Sequence, residues 1–333
     1  MSIENFDTGS HSEKKNQPLV SRELARALNH CADIELGNKP EVYGTVLSQA
    51  AHFSLFPLSK VAGTEWTREN PWGHIAIDAG RLSLPSGKSK RAPIPAGGLP
   101  RLLTAYITSE ARRVRAAGGD PSRLDLTDSL NAMVKVLGLS EGSRNTALMR
   151  ALEATLTARV VFTREEEEIR NGRPGKWSHM IILPSIANKV SLWVPNSSPL
   201  EGFEPYIHLS SDYLNLILND DLVIPARLDI LAQLVGKPMA MDVLLWLQNV
   251  VYSLHRGNRT ERFFTWQELY GTMTHDYAAI RNFVTNWKQA FKVVHPYYPE
   301  VRVELVRGTR SAPGGVKVLH SPLLIDEKRR QIS

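Results

Sequence analysis

The stretch DYAAIRNFVTNWKQAFKVV, residues 276–294, has two chemically different sides when it is read as a helix. At 100° per residue, its apolar side chains fall on one side and its polar side chains on the other. The apolar side consists of Ile280, Phe283, Val284, Trp287 and Phe291. The polar side consists of Arg281, Asn282, Thr285, Gln289 and Lys292. We therefore expect a helix that packs on the protein through the first set and exposes the second.

The segments around this helix follow the order helix, helix, helix and β-hairpin. PMAMDVLLWLQNVVYSLHR (residues 238–256) predicts a long buried helix that begins at Pro238, and TWQELYGTM (residues 265–273) predicts a short helix capped by Thr265. After the third helix, EVRVELVRGTRSAPGGVKVLHSP (residues 300–322) alternates apolar and polar residues on both sides of a Pro-Gly-Gly turn. That pattern is typical of a β-hairpin.

Three helices followed by a β-hairpin form the layout of a winged helix. In that fold the third helix lies in the DNA major groove, and the hairpin wing contacts the backbone or the minor groove. The polar side of residues 276–294 suits this role, because Arg pairs with guanine, Asn and Gln pair with adenine, and Lys and Thr reach phosphate oxygens. Arg307, Arg310 and Lys317 of the wing are expected near phosphates. The alternative is a polar face that is only solvated.

The same order of elements occurs earlier in the chain, without close sequence similarity. Helices are predicted at residues 99–117, 126–140 and 143–160, and a hairpin is predicted around NGRPGK (residues 171–176). On the third helix, Ser143, Thr146 and Arg150 face outward beside Glu153. We expect these three residues to contact DNA, but less strongly than the second copy does, because a carboxylate repels phosphate.

The first hairpin combines a glutamate run with a basic tip. REEEE (residues 164–168) precedes Arg173 and Lys176, which are further candidates for DNA contact. The glutamates predict a solvated strand, a strand that is kept away from DNA, or a strand that faces a basic surface on a partner. We expect the second copy to be the principal DNA-binding unit, and the first to contribute also to a homodimer.

The sequence thus predicts an α+β protein with two tandem winged-helix domains and a flexible N-terminal tail. The boundaries are residues 1–20 for the disordered tail, 21–95 for a mixed N-terminal extension, 96–198 for the first winged-helix domain and 199–330 for the second. Residues 193–205 form the predicted linker between the two domains. Residues 21–90 either complete the sheet of the first domain or provide a surface for dimerisation.

The charge of the chain is concentrated at one end. The 333 residues have a net charge of +6, and residues 281–333 alone contain ten basic and four acidic residues, which is the whole excess. A neutral body with a basic end indicates an anionic partner at that end, or a basic face that serves only solubility.

The single cysteine, Cys31, excludes an internal disulfide framework and a cysteine zinc site, and it fits a cytoplasmic protein. No apolar run is long enough to predict a membrane span.

Two stretches resemble a phosphate-binding loop and a nickase motif, but neither motif is complete. PSGKSK (residues 85–90) lacks the first glycine of a phosphate-binding loop, because Leu82 occupies that position, so we interpret it as a basic loop able to touch DNA phosphates. HPYYPE (residues 295–300) offers Tyr297 and Tyr298 as nickase nucleophiles, but the chain has no His-apolar-His metal motif. We expect no enzyme activity, metal or cofactor, and we retain a nickase or primase as the competing hypothesis.

Several segments resemble the plasmid-encoded RepA replication proteins of Gram-negative bacteria. The most specific are GLPRLLTAYITSEA (residues 98–111), PMAMDVLLWL (residues 238–247) and HSPLLI (residues 320–325), and the resemblance extends from about residue 92 to 326. It implies a plasmid replication initiator that binds direct repeats in duplex origin DNA, helps to open an AT-rich region, and recruits host helicase and initiator proteins. It also implies dimers that repress their own gene.

The resemblance assigns DNA reading to the polar side of residues 276–294 and to the wing arginines. The residues concerned are Arg281, Asn282, Thr285, Gln289, Lys292, Arg307 and Arg310. The first wing departs from this family pattern because it is acidic. Its glutamates argue against equal DNA reading by the two domains. A winged-helix transcription regulator is the alternative function, since the residues do not distinguish it from an initiator.

Overall fold

The computed structural model describes residues 22–47, 56–70, 73–83, 89–125, 143–170, 173–183, 185–191, 206–273 and 277–325. Within these ranges the chain forms eight α-helices and fourteen β-strands in several small sheets, so the prediction of an α+β fold is confirmed. The helices are α1 (Arg22–Glu35), α2 (Gly98–Ala116), α3 (Ser143–Thr157), α4 (Ser211–Ile217), α5 (Leu228–Gln233), α6 (Pro238–Arg256), α7 (Trp266–Met273) and α8 (Ile280–Val294). No helix in these ranges is both long enough and apolar enough to cross a membrane.

The strands are short apart from one long pair. They are β1 (Tyr43–Leu47), β2 (Glu65–Asn70), β3 (Gly73–Asp78), β4 (Arg81–Ser83), β5 (Ser89–Arg91), β6 (Arg123–Asp125), β7 (Arg159–Arg170), β8 (Arg173–Leu183), β9 (Ala187–Ser191), β10 (Tyr206–Leu209), β11 (Val223–Arg227), β12 (Glu261–Thr265), β13 (Val303–Val306) and β14 (Gly315–Leu319). The predicted tail at residues 1–20, the predicted helix at 126–140 and the predicted linker at 193–205 lie outside the described residues.

The C-terminal unit, residues 238–319, has the predicted order of three helices and a hairpin. Helices α6, α7 and α8 are followed by the antiparallel pair β13 and β14. Strand β12 was not predicted; it lies between α6 and α7 and pairs with β14, which gives a sheet of order β12-β14-β13. The predicted cap of α7 is confirmed, because the Thr265 N–H donates to Glu268 Oε2 (2.7 Å) and the Glu268 N–H donates to Thr265 Oγ1 (3.1 Å).

The N-terminal unit is built around the predicted hairpin. Strands β7 and β8 pair antiparallel along their whole length, from Val160 opposite Leu183 to Arg170 opposite Arg173. Strands β2 and β3, which belong to the predicted extension, add to it and produce a sheet of order β2-β3-β7-β8. Of the two expectations for residues 21–90, completion of this sheet is therefore observed for Glu65–Asn70 and Gly73–Asp78. The domain boundaries themselves remain predictions.

A single apolar core runs beneath both units. It contains Leu103 of α2, Leu152 of α3, Leu244 of α6 and Trp287 of α8. A smaller separate cluster, with Ile75, Ile77 and Val160 at its centre, lies under the four-stranded sheet. The large shared core means that the position of α8 depends on residues from both halves of the chain.

A buried ion pair fixes α2 against α6. Arg101 donates from Nε to Asp242 Oδ1 (2.7 Å) and from Nη2 to Asp242 Oδ2 (2.8 Å), and the two side chains are 2% and 1% exposed. The guanidinium also donates to the carbonyls of Phe56 and Gly97, both at 2.8 Å. Such a two-pronged, charge-assisted contact fixes both distance and orientation. The ion pair therefore fixes the distance and orientation of α2 relative to α6.

A second arginine connects the four-stranded sheet to the C-terminal unit. Arg68 of β2 donates to the carbonyls of Thr272 (2.7 Å) and Met273 (3.0 Å) at the end of α7. Cationic donors suit this place, because the last carbonyls of a helix have no partners within the helix and carry its negative dipole end. The N-terminal extension is thus attached to the helix that precedes α8.

Helix α1 is held by a buried polar cluster. His30 Nε2 lies 2.9 Å from Asp229 Oδ2, and Arg227 donates to the two oxygens of the same carboxylate at 2.8 and 2.7 Å. Burial raises the pKa of Asp229, but the hydrogen bonds from Arg227 and His30 outweigh it and lower the pKa to about 2. Because the ionised form of Asp229 is the one that is bonded, this cluster stabilises the fold while the carboxylate is charged.

Acid should remove this stabilisation in a defined pH range. The pKa of Asp229 is depressed on folding, so its contribution is complete above the unfolded pKa of about 4 and is lost as the pH falls towards 2. We expect Asp229→Asn to lower the free energy of unfolding by on the order of 2 kcal/mol at pH 7. In denaturant titrations the difference from the unmodified protein should shrink below pH 4. A difference that stays constant from pH 7 to pH 2 would contradict this assignment.

Candidate nucleic-acid interface

Helix α8 is anchored by aromatic side chains. Trp287 is fully buried and meets Trp246 of α6 and Trp266 of α7 edge-on, with ring centroids 5.8 and 5.5 Å apart. It stacks on Phe291 one turn further along the helix, with centroids 5.6 Å apart. Aromatic pairs at these distances add to the stabilisation from burial. The predicted packing side of α8 is therefore observed, and Trp287 is its centre.

The opposite side of α8 is exposed, as the periodicity predicted. This holds for all five predicted contact residues, Arg281, Asn282, Thr285, Gln289 and Lys292. The Thr285 hydroxyl donates to the Arg281 carbonyl (3.0 Å), so that donor is already used by the helix itself. No described residue forms a hydrogen bond or ion pair with the side chains of Arg281, Asn282, Gln289 or Lys292. Their donors and acceptors therefore point into solvent, where a partner can reach them.

The connection between β13 and β14 places two further arginines in solvent. Arg307 and Arg310 are exposed, and within the described part of the chain neither has an acidic partner. The tip between them is tight, because a Cβ on Gly308 would lie 2.8 Å from the Gly314 amide nitrogen. The glycines therefore allow a narrow tip that holds both guanidiniums at one end of the hairpin.

Lys317, the third predicted wing residue, has a different environment. It lies on the central strand β14, and its Nζ is 3.6 Å from Glu261 Oε2 and 3.7 Å from Glu304 Oε2. Its side chain is 30% exposed. Two carboxylates balance its charge, so Lys317 is less available to an outside anion than Arg307 or Arg310. The sequence could not reveal this, because the cross-strand register of the sheet decides which residues become neighbours.

The predicted contact residues of the first copy are described only in part. On α3, Leu148, Leu152 and Leu156 are buried as predicted, and Arg150 is exposed. The side chains of Ser143 and Thr146, and those of Arg173 and Lys176 on β8, lie outside the described residues. Along the hairpin, the Cα of Glu167 is opposite that of Lys176.

The two tyrosines considered as nucleophiles are buried. The side chains of Tyr297 and Tyr298 are 5% and 1% exposed. Burial raises the pKa of Tyr297 to about 12, and it raises the pKa of Tyr298 as well. The Tyr298 hydroxyl donates to the Pro322 carbonyl (2.5 Å). Among the described residues, no group of three or more His, Cys, Asp or Glu side chains is arranged to hold a metal ion.

The chain is similar in fold to domains 2 and 3 of RctB. The alignment with the crystal structure of selenomethionine derivatives of those domains covers 84% of this chain and 100% of that one, with a TM-score of 0.51 and 10% identity. A second crystal structure of RctB domains 2–3 aligns over 81% of this chain and 96% of its own, with a TM-score of 0.40 and 11% identity. No protein-family model and no curated protein matches the chain.

Proposed function

We propose that this protein is a DNA replication initiator that binds duplex origin DNA. The observation that carries the proposal is the exposed side of α8, which has four unengaged polar side chains and is followed in the chain by a hairpin with two exposed arginines. Its fold similarity is to RctB, itself a replication initiator of Vibrio chromosome II. Since that similarity is one of fold alone, the chemistry of α8 has to support the function.

The side chains of α8 suit base recognition in a major groove. In this proposal residues 238–319 form a winged helix, with α8 as recognition helix and the β13–β14 connection as the wing. Arg281 donates two hydrogen bonds to guanine, and Asn282 or Gln289 pairs with adenine. Lys292, Arg307 and Arg310 neutralise phosphates, which supplies affinity without sequence information.

The finer features follow from the resemblance to plasmid RepA proteins. In this proposal two tandem winged helices read direct repeats in a plasmid origin, and the protein recruits host helicase and initiator proteins. The proposal also includes a homodimer that represses its own gene. The protein acts without a cofactor and is not an enzyme; the burial of Tyr297 and Tyr298 supports that view, because a nucleophile must reach its substrate.

Changing Arg281 tests the reading role of α8. We expect Arg281→Ala to weaken binding to the direct repeats nearest the gene by about 1–3 kcal/mol, or roughly 5- to 150-fold, with little change on random duplex. The measurement is titration of labelled repeat DNA against excess random competitor at two salt concentrations. The matched control is Lys292→Ala, which should weaken both DNAs alike and flatten the salt dependence.

The result also decides between specific and general binding. Discrete complexes, one for each repeat, would support an initiator that recognises repeats. If Arg281→Ala lost equal affinity for repeat and random DNA, α8 would not read bases and its side chains would form only an anion-binding surface. Metal-dependent DNA cleavage that disappears in Tyr297→Phe would instead support the nickase hypothesis.

A transcription regulator is the second candidate, since the same fold and the same helix serve that role. The exposed side of α8 favours specific DNA binding without distinguishing the two functions. A plasmid that carries the gene and its flanking repeats, but no other origin, separates them. Autonomous replication that is lost with Arg281→Ala supports an initiator, whereas repression without replication supports a regulator.

A further inference from the structure

A short hairpin of the N-terminal extension presents three basic residues. Strands β4 and β5 pair antiparallel, with the Cα of Arg81 opposite that of Arg91 and the Cα of Leu82 opposite that of Lys90. The Ala92 N–H donates to the Gly80 carbonyl (3.0 Å) and closes the base of the hairpin. Arg81, Lys90 and Arg91 are all exposed. We call residues 80–83 and 89–92 the basic hairpin.

The basic hairpin is fixed at the end of α3. A Cβ on Gly80 would lie 2.1 Å from the Thr157 carbonyl oxygen and 2.3 Å from the Thr157 Cβ, so only glycine permits this approach. Thr157 lies seven positions after Arg150, and seven residues are close to two helical turns, or roughly 10 Å. Arg150 and the contact with Gly80 therefore lie on the same side of α3.

The charges of the basic hairpin are not balanced locally. Residues 79–109 contain no Asp or Glu. No described acidic residue forms an ion pair with Arg81, Lys90 or Arg91, and Asp78, three positions before Arg81, is not bonded to it. Like charges opposite each other on paired strands are destabilising, as Arg81 and Arg91 are here. An arrangement of this kind gains stability when an anion lies between the charges.

We propose that the basic hairpin binds the phosphodiester backbone of duplex DNA, next to the part of the DNA that α3 contacts. The inference rests on the proposed function and adds a contact element to it. Three cations with no amide side chain among them suit phosphate rather than base edges. The wing of the same unit, the β7–β8 hairpin, carries four consecutive glutamates, Glu165 to Glu168, which phosphate repels. The basic hairpin therefore supplies phosphate contacts that the glutamate stretch of this wing does not.

The test is a charge-removing variant of the full-length protein, Arg81→Gln with Lys90→Gln and Arg91→Gln. Binding to the direct-repeat fragment is measured across a salt series, and each lost phosphate contact should reduce the slope of log K against log salt by about 0.9. We expect a reduction of about 2 to 3, with weaker binding on repeat and random DNA alike. Hydroxyl-radical footprints should lose protection at backbone positions flanking each repeat.

A matched control removes the same charge elsewhere. Arg22→Gln with Arg26→Gln and Arg115→Gln changes three exposed basic residues on α1 and α2. An equal loss of slope in this control would overturn the proposal, since the effect would reflect net charge alone. An unchanged slope and footprint in the hairpin variant would also overturn it. A fall in unfolding free energy with unchanged slope would mean that the three cations serve only the dipole at the end of α3.

Failure of the inference and failure of the proposed function give different results. If the unmodified protein forms repeat-specific complexes while the hairpin variant binds equally well, only the inference fails. If the unmodified protein shows no preference for the repeats, the proposed function fails and the inference falls with it. Lys90→Glu provides a second variant in which one residue changes, so that any folding defect of the triple variant does not hide the outcome.

Discussion

Replacing Asp242 with alanine should lower the free energy of unfolding by about 3 kcal/mol, the lower end of the range for breaking a buried ion pair. The variant leaves the Arg101 guanidinium in a site where it is only 2% exposed. The carbonyls of Phe56 and Gly97 still accept hydrogen bonds from it, which is why the lower end of the range applies. Denaturant unfolding monitored by tryptophan fluorescence measures the change.

The double variant Arg101→Met with Asp242→Leu is the matched control. Buried ion pairs replaced by apolar residues of similar volume are often neutral in stability, so we expect the double variant to be much more stable than Asp242→Ala. Equal destabilisation by both would mean that lost packing between α2 and α6, rather than the unpaired charge of Arg101, causes the fall in unfolding free energy. A loss below about 1 kcal/mol for Asp242→Ala would show that water reaches Arg101.

Trp287→Ala should be the most damaging change in α8. It removes a fully buried indole that contacts Trp246, Trp266 and Phe291, and such truncations cost about 3–5 kcal/mol. Because the indole joins α8 to both α6 and α7, the exposed side of α8 should also lose its fixed position. We expect repeat-specific DNA binding to fall more than binding to random duplex. Thermal unfolding and the competition titration measure the two effects.

Trp287→Phe separates the packing role from any polar role. The Trp287 Nε1 is buried and has no hydrogen-bond partner, so phenylalanine loses no hydrogen bond there. We expect it to retain most of the stability and nearly all of the sequence preference. A large loss of specific binding in Trp287→Phe, with stability kept, would mean that the indole N–H has a role in the DNA complex that packing does not explain.

Local patterns predicted the C-terminal unit well. The bounds of α6 follow from Pro238 and an apolar periodicity, and the Thr265–Glu268 cap is visible in the letters TWQE. The exposed side of α8 follows from the same periodicity. These features depend on residues within a few positions of one another, which is why one sequence is enough to identify them.

The remaining features depend on partners far away in the chain. Strand β12 is a five-residue segment that becomes a strand by pairing with β14. Arg101 and Asp242 are 141 positions apart, and nothing near either residue predicts the other. The carboxylates around Lys317 and the position of the basic hairpin beside α3 likewise follow from tertiary packing. Predicted contact with DNA at the individual side chains stays a prediction.

The pairing of β1 with β11 has a consequence for synthesis of the chain. Among the described strands β1 pairs with β11 alone, and because Val46 lies opposite Ile224 this partner is missing until the ribosome has made some 180 further residues. At about 5–20 residues per second this takes roughly ten to forty seconds. Throughout that time the nascent chain presents an unpaired strand edge and the apolar surface that will later be covered. An unpaired edge of this kind can pair with another chain, so aggregation competes with folding until the second half emerges.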